Sequence, residues 1–139
     1  MTCFQDEISI ETRPRALHDI SAEVAQVVRQ SGVRCGLCTV FMRHTSASLT
    51  IQENADPAVQ RDLARWMAEV APEGRRWEHG AEGADDMPAH ARAALTSTSE
   101  SIPVTDGRLA LGTWQGLYVW EHRAHPHRRR VLVHVAGDE

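Results

Sequence analysis

The sequence predicts a single α+β domain, a mostly antiparallel β-sheet or sandwich with two to three helices packed on it. Three observations lead there. Two segments with a helical apolar period lie in the first half of the chain, segments with strand patterning surround them, and everything after Ser99 carries only strand and turn signals. The length of 139 residues, with 42% hydrophobic and 24% charged, is the size and balance of one ordinary globular domain. A chain of this size buries roughly two-thirds of the surface its unfolded form would expose, so a metal would serve chemistry more than folding.

Phe4, Ile8 and Ile10 mark a strand over Thr2 to Thr12. Ile20, Val24, Val27 and Val28 then recur at helical spacing behind Asp19, a good N-cap, and Gly32 supplies the stop. Val33 to Met42 is apolar, partly β-branched and without helical period, and Ser48 to Gln52 alternates, so both are expected strands joined by Arg43 to Ala47. Asp56-Pro57 opens a second helix whose apolar face is Val59, Leu63, Trp66, Met67 and Val70, ending at Pro72. Glu73 to Asp85 is a glycine-broken polar loop, and loops this long usually do something. A short helix follows from about Met87 to Leu95, opened by Asp86 with Pro88 in its first turn. Asp106-Gly107 is a hairpin turn between Ile102–Val104 and Leu109–Leu111, because a tight primed turn needs positive φ. Gln115-Gly116 is read as a break before a strand at Leu117 to Glu121, and Val131, Val133 and Val135 alternate in the last of these consecutive antiparallel strands.

The net charge is -4, which argues against nucleic acid or an anionic membrane as the main partner. All fifteen cations are arginines, a bias with no electrostatic meaning of its own. Residues 1–10 carry Asp6 and Glu7 and no apolar run, and no stretch approaches a membrane span, so a cytoplasmic protein with reduced cysteines is expected. Cys35 and Cys38 form a C-x-x-C pair, but residues three apart in a strand point to opposite faces, which favours structural thiols.

Eight histidines are many for this length, and His44, His79, His90 and His122 fall at loops or element ends. In Asp86-Met87-Pro88-Ala89-His90 a carboxylate and an imidazole four residues apart at a helix start share one face. His79 can fold back from the loop and His44 can add a third imidazole from the turn between two strands. The expected metal set is therefore His79, Asp86, His90 and His44, for zinc if nitrogen donors dominate or magnesium if oxygen and water do. The plain alternative is a helix cap with surface histidines. Glu53-Asn54 can hold a metal-bound water or a phosphate, or simply precede a helix. Trp114 can stack on a flat ring while Gln115 bonds its edge, or the Gly112–Gly116 segment can be a bulge with a core tryptophan. Arg128 belongs to the only basic cluster, His122 to Arg130, which suits a small phosphorylated substrate and otherwise forms a solvated loop.

His44-Thr45-Ser46-Ala47-Ser48, Asp85-Asp86-Met87-Pro88-Ala89-His90 and Leu111-Gly112-Thr113-Trp114-Gln115-Gly116 together resemble the signature of the YjbQ-like family over nearly the whole chain. The resemblance implies one α+β domain over residues 1–139, a homotrimer, and a secondary thiamine-phosphate synthase activity. That reaction joins a pyrimidine-methyl diphosphate to a thiazole phosphate and releases diphosphate. Carried onto this chain, the family's recurrent polar residues fall on His44, Glu53, Asn54, His79, Asp86, His90, Trp114, Gln115 and Glu121. Of these His44, Glu53, Asp86 and Glu121 are the catalytic candidates, while Asn54, Trp114 and Gln115 join Ser46 of the hydroxyl run and Arg128 of the basic cluster as substrate-binding ones. A metal-dependent hydrolase or phosphatase, and a metal- or metabolite-binding trimer without turnover, are the competing readings of the same residues.

Overall fold

The computed structural model describes residues 1–139, the full chain. Its elements, in order, are β1 (Thr2–Glu11), β2 (Leu17–Asp19), α1 (Ser21–Ser31), β3 (Cys35–Met42), β4 (Ala47–Glu53), α2 (Pro57–Val70), α3 (Asp86–Leu95), β5 (Ser99–Thr105), β6 (Arg108–Leu109), β7 (Gln115–Glu121) and β8 (Arg128–Asp138). Every strand pairing is antiparallel, in a five-stranded sheet of order β1-β8-β3-β5-β6 and a three-stranded sheet of order β2-β7-β4. This is the expected α+β class, with three helices.

The two sheets share one core. Val131, Val133 and Val135 of β8 and Cys38, Val40 and Met42 of β3 meet Leu49 of β4, Leu117 and Val119 of β7, and Val24, Val27 and Val28 of α1. The two-residue strand period explains the composition of β7: Leu117 and Val119 face this core, while Tyr118 and Trp120 face a second cluster with Leu17 and Met67 of α2. Covered on both faces, Gly116 to Glu121 is buried throughout. Gly36 sits opposite Gly137 where β3 and β8 approach so closely that a Cβ on Gly36 would lie 2.1 Å from the Ala136 carbonyl oxygen.

Helix boundaries follow local chemistry. Asp56 accepts a hydrogen bond from the Ala58 amide at the start of α2, and Gly32 ends α1 in the left-handed conformation, φ 74°. Asp106 and Gly107 both have positive φ, as a primed hairpin turn requires. Four expectations are corrected. Asp19 lies in β2, a three-residue strand too short to show a period, and Ile20 is the N-cap residue of α1. Of the predicted α2 face only Met67 is fully buried, with Trp66 51% and Val70 38% exposed, because the helix meets the sheet around Leu17, Tyr118 and Trp120 and not along its length. Gln115-Gly116 begins β7, with Gln52 and Glu53 of β4 as partners, and does not form a turn. β7 and β8 are sequential but lie in different sheets. No helix is long and apolar enough to cross a membrane.

Candidate metal centre

The loop after α2 folds back over the first turn of α3. It brings His79 Nε2 to 2.7 Å from Asp86 Oδ2, and one helical turn further on His90 Nε2 lies 3.1 Å from the same oxygen. The three ligand atoms all lie within 4.8 Å of one another. Ligands around a tetrahedral zinc sit roughly 3.3 Å apart, given bonds of about 2.05 Å, so little movement separates this cluster from a coordination set. Asp86 is 2% exposed, whereas the side chains of His79 and His90 are 46% and 30% exposed, so the cluster opens to solvent on its imidazole side.

The tautomer of His90 is set by its second nitrogen. His90 Nδ1 lies 2.9 Å from the Thr45 carbonyl oxygen, which can only accept, so Nδ1 carries the hydrogen. In a neutral ring Nε2 then presents a lone pair to a carboxylate oxygen 3.1 Å away. Two acceptors face each other, and that arrangement is favourable only with a cation between them, a proton or a metal ion. The donor chemistry thus fits a divalent ion.

Arg123 fixes the carboxylate. Its Nη1 lies 2.9 Å from Asp86 Oδ1 and its Nε 2.8 Å from Asp85 Oδ2, which also accepts from the Ala124 amide. Asp86 is thereby held with Oδ1 engaged and Oδ2 turned to the histidines. Burial alone would raise its carboxyl, but the His79 hydrogen bond and the charges of His90 and Arg123 hold it below the usual range. The bond to Arg123 brings Asp85 down to about 2. Neither Arg123 nor the Thr45 carbonyl was anticipated, although the doubled Asp85-Asp86 is a visible call for a nearby cation.

Behind the cluster stands a buried ion pair. Arg129 donates to Glu121 from Nε at 2.9 Å and from Nη2 at 2.5 Å, and Thr12 Oγ1 donates at 2.6 Å. Arg129 also bonds Ser46, through both its hydroxyl and its carbonyl, and Glu121 Oε2 accepts from the Arg123 amide at 3.1 Å. Ser46 and Glu121 therefore brace the strand ends that carry Thr45 and Arg123, and Glu121 is fully buried.

The remaining expected site residues lie elsewhere. His44 is outside the cluster: its Nε2 accepts from the Arg130 amide at 2.8 Å, because the turn after β3 directs the ring toward β8. Arg128 pairs with Glu11 at 2.8 Å on the exposed β1–β8 edge, and strand alternation sends Arg129 inward instead. Glu53, Asn54, Trp114 and Gln115 gather at the opposite end of β4 and β7. Glu53 pairs with Gln115, the Asn54 amide donates to the Trp114 carbonyl, and Trp114 is 64% exposed. The length of β7 puts them roughly 20 Å from the His122-Arg123 end within one chain.

His122 faces the α2 side of β7, with Nε2 2.8 Å from Ser48 Oγ and its ring 5.3 Å from that of Trp120. Burial first, and the nearby Arg92 charge second, push it down to about 3 from an ordinary 6.5. The unfolded chain therefore takes up a proton below pH 6.5 that the folded chain refuses. Stability from this residue is complete above pH 6.5 and falls as the pH drops toward 3, by at most about 1.4 kcal/mol per unit. Urea melts at several pH values should show a shallower acid loss for His122→Gln than for wild type, and parallel curves would contradict this.

Comparison with known proteins places the chain in a family. Residues 6–138 match the model for UPF0047 protein YjbQ-like. The chain is 58% identical to UPF0047 protein sll1880 of Synechocystis over 96% of its length and 92% of that protein's. It is 38% identical to UPF0047 protein YjbQ of Escherichia coli O157:H7, over 97% and 99%. Among solved structures it is similar to a YjbQ/UPF0047 family protein of Clostridium acetobutylicum (TM-score 0.88, 39% identity, 94% of this chain and 99% of that one). It is also similar to a YbjQ-like protein of unknown function from Sulfolobus solfataricus (TM-score 0.90, 27% identity, 98% of each chain). A match over nearly the full length, with a shared fold, means that this chain belongs to the UPF0047 YjbQ-like family.

Proposed function

We propose that the chain is a divalent-metal-dependent transferase, assembled as a homotrimer, with secondary thiamine-phosphate synthase activity. The observation that carries the metal is the convergence of His79 Nε2, Asp86 Oδ2 and His90 Nε2, all within 4.8 Å of one another. His79, Asp86 and His90 would hold the ion, and two imidazoles with one carboxylate suit zinc better than magnesium. The substrate pair rests on the resemblance carried by the His44–Ser48, Asp85–His90 and Leu111–Gly116 segments.

In that reaction the thiazole nitrogen forms a bond to the exocyclic carbon of the pyrimidine, and the C–O bond to diphosphate breaks with its electron pair leaving on oxygen. The ion, when bound, supplies positive charge to that departing group. Arg123 keeps Asp86 ionised and oriented, and the Thr45 carbonyl keeps His90 in the tautomer that offers Nε2. The test incubates the protein with each divalent ion and both phosphorylated substrates, measuring thiamine phosphate and diphosphate together. Equal amounts of the two support the transferase. Diphosphate or phosphate without coupling would mean a hydrolase, and bound metal without turnover a binding protein.

The trimer rests on the family resemblance, and the outer face of the five-stranded sheet, which no helix covers, offers such an assembly an apolar surface. Leu37 and Phe41 are 44% and 45% exposed there beside Leu132 and Ala136. Phe41→Asp is expected to dissociate the assembly, since a carboxylate in an apolar interface is left unpaired. Light scattering should report a monomer for the variant and a trimer for wild type, and the same mass for both would remove this face from the interface.

A further inference from the structure

A second cleft, with none of the three cluster residues in its lining, lies close to the histidines. Two adjoining cavities of about 150 and 180 Å³ share Arg15, Ala64 and Trp120 in their walls, between α2 and the Arg13–Leu17 segment. Their charged residues are Arg13, Arg15, Arg61 and Arg92, and no carboxylate lines either cavity, although the chain as a whole is acidic. At the inner end Arg92 is 5% exposed and bonds only the Ala71 carbonyl, through Nε at 3.2 Å and Nη2 at 3.0 Å. Arg92 makes no ion pair of its own: the carboxylate whose charge reaches it, Glu73, is already paired with Arg15, and a buried guanidinium without a direct counter-ion is a costly state that an anion would relieve. Arg15, which pairs with Glu73, holds φ 52°, a left-handed conformation that a non-glycine residue adopts only when its surroundings impose it.

We infer that this cleft binds the phosphate or diphosphate group of a small organic molecule. Guanidinium donors from three directions match a compact, multiply charged oxyanion, and a single carboxylate would leave most of them unmet. Leu17, Ala64 and Met67 give the walls an apolar stretch for the body of the molecule. The cleft adjoins the histidine cluster through one residue: Arg123 holds Asp85 and Asp86 with its side chain and accepts from the Arg15 amide, at 3.0 Å, with its carbonyl. The inference does not depend on a metal at the histidines.

Calorimetric titration with inorganic phosphate and with inorganic diphosphate, at ionic strength held constant with chloride, tests it. Wild type should bind at least one of them saturably, and the tighter of the two identifies the group. His79→Ala should bind it equally well, which separates the cleft from any anion held through a metal. The exposed pair Arg13→Ala/Arg61→Ala should fold normally and bind about tenfold or more weakly, the effect of losing one charge-assisted hydrogen bond. Absence of saturable binding by wild type, loss of binding in His79→Ala, or undiminished affinity in the arginine pair would each overturn the inference.

Discussion

Glu121→Ala is expected to destabilise the fold by about 3 to 5 kcal/mol, the range for removing one partner of a buried ion pair. Glu121 is fully buried and Arg129 3% exposed, so the guanidinium would lose its counter-charge in a place water does not reach. Thr12 and the Arg123 amide would lose their acceptor in the same step. The melting temperature should fall by roughly 10 to 15 °C for a chain of this size. Glu121→Ala/Arg129→Met, which deletes both charges, should recover a good part of that loss. A single variant within about 1 kcal/mol of wild type would mean that the pair does not brace the strand ends as described.

His90→Ala carries the largest expected effect on metal binding, a loss of at least about 100-fold in affinity with the fold intact. Outer partners of metal ligands are alone worth about 10- to 100-fold, and His90 would be a ligand itself. Its side chain is 30% exposed on the first turns of α3, so truncation opens no closed cavity, and alanine is the best helix former. Bound metal, melting temperature and coupled product should be measured side by side. Metal and product are expected to disappear while melting moves by only a few degrees. Full metal content would remove His90 from the site, and unfolding would make its role structural. Asp86→Ala is a poorer probe, because it also takes from Arg123 one of the two carboxylates it holds.

What the sequence made legible follows from the range of the interactions involved. Helix starts and stops are local: Asp56-Pro57, Gly32 and Asp106-Gly107 act within a few residues and stand where expected. The i, i+4 geometry of Asp86 and His90 is equally local, and His79 lies only seven residues before Asp86. The orientation of His44 was not legible, since it depends on the Arg130 amide of a strand 86 residues away. Nor was the separation of Trp114-Gln115 from the histidines, which follows from β7 running unbroken from Gln115 to Glu121. The basic run showed its charge but not its alternation: Arg128 pairs on the surface with Glu11, and Arg129 turns inward to Glu121. Exposed Trp66 and Val70 on α2 show the converse, an apolar period that a single chain leaves partly uncovered.

The central claim is that His79, Asp86 and His90 hold one divalent ion. Titration of the wild-type protein with cobalt(II), followed by its visible absorption, tests this most directly, because the intensity and position of the bands report both occupancy and nitrogen-rich, low-coordinate geometry. Saturation at one ion per chain is expected, with displacement by zinc, and with the bands lost in His79→Ala and His90→Ala but retained in His44→Ala. Absence of saturable absorption, or spectra unchanged by His79→Ala and His90→Ala, would contradict it.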